Sequence, residues 1–156
     1  MAVMHGNKGG GATVNDTPPG PDESPCNNLA LRQASRHLGQ IYDRHLASTG
    51  LSGSQYSILS RLARLGPMTI GRLAEAMILD RTALGRALKP LQREKLIAIT
   101  AGEDARIRQV SLTAKGKSKF EGARQHWLKA QAEFEAAYGT EDAAALRAAL
   151  RRVVTV

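Results

Sequence analysis

The chain has 156 residues, enough for one domain with a real core and short for two. No apolar run approaches the roughly 18 residues that a membrane helix needs, and 4% aromatic content with abundant Ala and Leu favours a mostly helical protein. The net charge of +8 is uneven: residues 70–119 carry 11 Lys+Arg against 5 Asp+Glu, so most of the excess sits in a third of the chain and favours a polyanionic partner. One cysteine excludes an internal disulfide and fits a reducing compartment. The start lacks a signal-peptide pattern, so a cytoplasmic location is expected.

Residues 1–26 form a tail in which Gly and Pro recur and no aromatic residue appears. It cannot bury enough surface to offset its ordering entropy, so disorder is expected. Asn27 or Asn28 caps a first helix. Its stripe of Leu31, Ala34, Leu38, Ile41 and Leu46 runs to about Ser48, and Gly50 ends it. Ser52 caps a second helix, with Gln55 three residues on as in a capping box; Tyr56, Leu59, Leu62 and Ala63 form its apolar side, and Gly66-Pro67 stops it. Thr69 caps a short third helix that buries Ile70, Leu73, Ala74 and Met77.

Asp80 then caps a fourth helix. Leu84, Leu88 and Leu91 make its buried stripe and leave Arg81, Thr82, Gly85, Arg86 and Lys89 off it. Pro90 removes one helical hydrogen bond and is expected to kink the helix or start a new turn. Leu96–Thr100 and Gln109–Thr113 alternate as two strands around the polar turn GEDARIR. Thr113 caps a long helix with Phe120, Ala123, Trp127, Ala130, Phe134 and Ala137 at helical spacing, closed by Gly139. Thr140 opens a last helix whose apolar side is Leu146, Ala149, Leu150 and Val153.

Two short helices with a tight connection, followed by a hairpin, make a winged helix-turn-helix. The fold class is mainly α with a small β-hairpin wing: a winged helix-turn-helix plus a helical dimerisation domain. The winged helix spans 51–113, and residues 27–50 and 114–156 form the dimerisation region. The helices outside the winged helix exceed what its core needs. A second protomer is the economical partner for their stripes, and a homodimer also reads a palindromic site. A cationic helix with a basic-tipped hairpin suits double-stranded DNA. Arg81 and Arg86 are candidates for guanine contacts or for phosphate contacts, and Arg106 and Arg108 are cations of the hairpin. Nothing points to an enzyme. HExxH, P-loop, GxSxG and paired-cysteine patterns are missing, and the four histidines (His5, His37, His45, His126) have no metal spacing, so neither metal nor cofactor is expected.

LSGSQYSIL (Leu51–Leu59), the run MTIGRLAEAMILDRTALGRALKPLQREKLI (Met68–Ile97), and Asp104-x-Arg106 followed by Leu112-Thr113-x-x-Gly116 come in a characteristic order and spacing. With them the chain resembles the MarR family (multiple-antibiotic-resistance regulators), dimeric winged-helix transcription factors, over roughly Asn28–Val154. The resemblance implies that Arg81, Thr82, Gly85, Arg86 and Lys89 lie nearest the major groove. It puts Arg106 in the minor groove, oriented by Asp104, and Thr69 and Gln55 near phosphates. It also implies a small aromatic or phenolic effector between the dimer helices and the winged helix, near His37, Tyr42, His45, Tyr56 and Trp127.

A homodimeric repressor released by a ligand or an oxidant is the reading these residues favour. A redox regulator acting through Cys26 and a non-specific architectural DNA binder stand as alternatives. Cys26 lies where the tail meets the first helix, and a helix N-terminus favours a thiolate.

Overall fold

A computed structural model describes residues 25–102 and 107–155. The expected tail lies outside these residues except for Pro25 and Cys26, and so do Asp104 and Arg106. Helix α1 (Asn27–Leu46) passes into a single 3-10 turn (Ala47–Thr49) that ends at Gly50 with φ 71°. Then come α2 (Gly53–Leu65), a two-residue strand β1 (Met68–Thr69), α3 (Ile70–Met77) and α4 (Arg81–Arg93). Strands β2 (Ile97–Ala101) and β3 (Arg108–Leu112) form the wing, and α5 (Ala114–Tyr138) and α6 (Thr140–Val153) complete the chain.

Local chemistry explains most boundaries. Ser52 and Gln55 form the expected capping box, with Gln55 N donating to Ser52 Oγ at 3.2 Å and Ser52 N to Gln55 Oε1 at 2.9 Å. Thr69 Oγ1 accepts from Arg72 N at 3.2 Å, Asp80 Oδ1 from Ala83 N at 2.8 Å, and Thr113 Oγ1 from Gly116 N at 2.9 Å. Each such cap stabilises its helix by about 1 kcal/mol. The first helix differs from expectation: Cys26, not Asn27 or Asn28, holds the N-cap position, and its side chain makes no capping bond.

Helices α3 and α4 are joined by a turn in which Leu79 N donates to Ala74 O at 2.9 Å and Ile78 takes left-handed φ 53°. Helix α4 runs through Pro90 to Arg93 without interruption. The missing Pro90 N–H leaves the Arg86 carbonyl without its helical donor, but leucines at 88 and 91 on either side are buried and keep the helix seated. Its end repeats the left-handed closure, with Leu96 N donating to Leu91 O at 2.9 Å and Lys95 at φ 59°.

The sheet order is β1-β3-β2, antiparallel throughout. Val110, fully buried, faces Met68 on one side and Ile99 on the other. Strand β1 was not expected from the sequence, and the wing strands are displaced by one residue from their expected limits. The core gathers Leu46, Tyr56, Ile58, Leu59, Leu62, Leu73, Leu84, Leu88, Leu91, Leu96, Val110 and Ala123 into one cluster. Ala63 is exposed, whereas Ile58 is buried on the inner side of α2.

Helix α1 packs along α5, and α6 packs on α5. Much of their apolar stripe nevertheless faces outward. Leu29, Leu31, Tyr138, Val153 and Val154 are 37–57% exposed, and Ala34 and Ala137 are exposed as well. Among the described residues, nothing covers these positions.

Candidate nucleic-acid interface

Leu84, Leu88 and Leu91 turn one side of α4 inward and so fix what the other side presents. Arg81, Thr82, Arg86 and Lys89 are exposed on that side, and Gly85 is half-buried among them. A Cβ built on Gly85 meets nothing within 4 Å, so the gap in this cationic face opens onto free space. The helix therefore offers a smooth, positively charged surface of the diameter that a major groove admits.

Arg81 is placed differently from Arg86. Its Nη2 lies 3.5 Å from the position a Gly71 Cβ would take, and Thr69 Oγ1 lies 3.9 Å from the same point. Thr69, Gly71, Arg81, Ile107 and Arg108 line one hollow of about 400 Å³. The N-terminus of α3, whose first N–H groups point out of the helix, opens beside it. A guanidinium, a second cation and a helix N-terminus around one hollow suit a phosphate oxygen. Arg86 lies more than a turn further along α4, on its exposed face.

The structure thus brings Thr69, Arg81 and Arg108 together and sets Thr82, Gly85, Arg86 and Lys89 on the neighbouring helix face. Gln55 lies in the first turn of α2, with its side-chain oxygen closing the capping box. Asp104 and Arg106 lie outside the described residues. Sequence reasoning missed the part of Gly71 and Ile107 in the hollow, since only the folded wing brings them beside Arg81.

The five residues expected around an effector do not share one cavity. Tyr42 and Trp127 line a crevice of about 620 Å³ between α1, α2, α4 and α5, together with Asp43, Ser54, Ser57 and Met77. Burial pushes the Tyr42 phenol up from its usual pKa, with Glu135 adding to the rise and Arg147 opposing it. Tyr56 turns to the other side of α2, where its ring lies 5.2 Å from Phe120 and 6.0 Å from Trp127. His37 lines a separate groove with Glu133, Phe134 and Tyr138. His45 Nε2 lies 2.7 Å from Glu133 Oε2, and Arg44 pairs with the other oxygen. The His45 hydrogen bond is the main reason that the Glu133 pKa is lowered. Residues 37 and 42 lie about 140° apart around α1, so this helix turns them toward different hollows.

Comparison with known proteins decides the family. A sequence profile of the MarR family matches residues 49–107, the winged-helix segment. The Mycobacterium tuberculosis transcriptional regulator MosR, solved in complex with DNA, is 35% identical with a TM-score of 0.69, and the match covers 82% of this chain and 98% of that one. The chain belongs to the MarR family. A MarR-family protein with this basic winged helix is a DNA-binding transcription regulator. An uncharacterised HTH-type transcriptional regulator of Bacillus subtilis, YwoH, is 29% identical over 112 residues, covering 72% of this chain and 82% of its own length. The fold is also that of Bordetella bronchiseptica BpsR, at a TM-score of 0.75 and 18% identity over 88% of this chain and all of BpsR; its DNA binding is regulated by 6-hydroxynicotinic acid.

Proposed function

We propose that this MarR-family regulator is a homodimeric repressor. It would bind a pseudo-palindromic promoter site through two copies of α4 and block transcription from it. The exposed cationic face of α4 beside the Thr69–Arg81–Arg108 hollow carries this reading. The uncovered apolar residues of α1, α5 and α6 supply the surface on which a second copy packs. Dimerisation sets the two recognition helices about 34–36 Å apart, or a multiple of that, so that they enter successive major grooves.

A small aromatic or phenolic ligand in the Tyr42–Trp127 crevice releases the DNA. The crevice touches both α1 and α4 (through Ala83 and Ala87), so a ligand that fits only one spacing of the helices shifts the population towards it. Its volume lies within the range of small-molecule sites. A second route runs through Cys26, which is exposed at the N-terminus of α1. Peroxide treatment followed by non-reducing electrophoresis and operator titration tests that route. An unchanged gel together with unchanged affinity removes it.

The deciding experiment is fluorescence anisotropy of the purified protein on its own upstream intergenic DNA, against random competitor. Competitor-resistant binding is expected. Binding that competitor abolishes on every upstream fragment would mean a non-specific architectural role. Arg81→Ala should weaken specific and random DNA alike and reduce the salt slope by about one. Arg86→Ala should erode discrimination at its contacted base pair by about 1–3 kcal/mol.

A further inference from the structure

The capping box at the start of α2 does not satisfy every N–H of its first turn. Ser52 Oγ accepts from Gln55 N, and Gln55 Oε1 accepts from Ser52 N. The N–H of Gly53, the first residue of the helix, lies outside that exchange. Its acceptor comes from another helix: Gly53 N donates to Asp43 Oδ1 of α1 at 2.6 Å. Glycine leaves the room for this approach, since a Cβ there would stand 3.3 Å from the same oxygen and 3.5 Å from Tyr42 Cβ. The Asp43 carboxylate also meets the positive end of the α2 dipole, which strengthens the contact. Among the described residues, no second hydrogen bond joins α1 to α2.

We infer that Asp43 is a positioning residue that sets the spacing of the two copies of α4. The inference rests on the homodimer proposed above. Helix α1 carries the exposed Leu29 and Leu31 of the face assigned to the second copy, while α2 leads into the winged helix that holds α4. Between α1 and α2 the chain passes a single 3-10 turn and Gly50, at left-handed φ 71°. Leu46 and Leu51 are buried on either side of this link, but apolar burial is non-directional and leaves the angle between the helices soft. A hydrogen bond demands both a distance and an angle. At its other end in sequence the winged helix is fastened to α5, where Thr113 Oγ1 donates to Lys95 O at 2.7 Å. A body tied at one place pivots about that tie. The Asp43–Gly53 bond is the second tie, and it takes up the pivot.

The placement of this bond suits orientation more than stability. Asp43 is exposed, and the capping box already closes the start of α2 without it. What the bond adds is a constraint between two helices. The 13 residues of α2 span roughly 20 Å. A swing of about 5° about its first residue moves its far end by about 2 Å, and two heads moving apart double that. The sum is close to the rise of about 3.4 Å per base pair. A dimer without the tie therefore tolerates half-sites one base pair out of register.

Double electron–electron resonance on the full chain measures this spacing without DNA. Each chain carries a spin label at Gln92→Cys, exposed on α4, in a Cys26→Ser background. Asp43→Ala is expected to widen the spread of distances between the two labels by about 2–4 Å. Asp43→Asn keeps an Oδ1 acceptor and is expected to restore the narrow spread. Ser52→Ala opens the capping box and is expected to lower the urea midpoint while leaving the spread unchanged. An unchanged spread in Asp43→Ala, or equal widening in Ser52→Ala, would overturn the inference while the dimer stands. No coupling between labels in the parent protein would remove the dimer itself, and the inference with it. On the upstream fragment, one base pair inserted between the half-sites is expected to cost the parent about tenfold or more in affinity and Asp43→Ala at least about threefold less. Equal penalties in the two proteins would also overturn it.

Discussion

Gly116→Ala tests the closest backbone approach at any glycine among the described residues. A Cβ at Gly116 would stand 1.9 Å from the Leu96 carbonyl oxygen and 2.8 Å from the Leu96 carbonyl carbon. Both are backbone atoms, so no side chain can swing away. Restoring the 3.4 Å of ordinary contact requires the start of α5 to part from Leu96 by about 1.5 Å. Four hydrogen bonds span that seam: Thr113 N to Leu96 O at 3.1 Å, Thr113 Oγ1 to Lys95 O at 2.7 Å and to Leu96 O at 3.2 Å, and Lys115 Nζ to Glu94 O at 2.8 Å. Losing two of them at about 0.5–1.5 kcal/mol each, with about 1–3 kcal/mol of overpacking, outweighs the gain of about 1 kcal/mol in helix propensity. The net loss is about 1–5 kcal/mol, up to a large share of a total stability of roughly 5–15 kcal/mol. Urea denaturation followed by circular dichroism should show a lower midpoint with an unchanged slope. Gly122→Ala is the control, on the same helix but with nothing within 4 Å of the new Cβ, and should be neutral to stabilising. If Gly116→Ala proves as stable as Gly122→Ala, the packing argument is wrong.

Ile78→Gly relieves a β-branched residue of left-handed φ 53° at a site 69% exposed, and should raise stability by about 1 kcal/mol in the same denaturation assay. Gly85→Ala should raise the melting temperature by up to a few degrees through helix propensity, yet weaken operator binding by crowding the groove-facing surface. Thermal melts against pH should show the Glu133 contribution. Its folded pKa is lowered from 4.5, so the stabilisation is complete above that value and is lost as pH falls through the lower one. Glu133→Gln should flatten that acid-side slope, and an unaltered slope would count against the His45–Glu133 contact.

Sequence alone announced the capped helices, because a cap is a local bargain between one side-chain oxygen and an N–H three residues on. Ser52, Thr69, Asp80 and Thr113 all behave this way. The inward stripe of α4 was equally legible from the spacing of its leucines. Strand β1 was not, since two residues carry no period and pair only because β3 arrives beside them. The stripe of α1 was read correctly as apolar, but Leu31 and Ala34 stay exposed because periodicity does not say which surface covers a face. The hollows were the least legible feature, as each draws its lining from several elements. Gly116 was visible as part of a spacing, while its cause, the Leu96 carbonyl against the helix, appears only in three dimensions.

The seam at Thr113 also has a mechanical meaning. It welds the carboxyl end of α4 to the start of a 25-residue rod, α5. A rod of that length spans roughly 37 Å, so a tilt of about 5° sweeps one end through roughly 3 Å relative to the other. In the proposed dimer, a modest change in how the two rods lean would then carry both copies of α4 out of step with the pitch of DNA, without a hinge inside the winged helix.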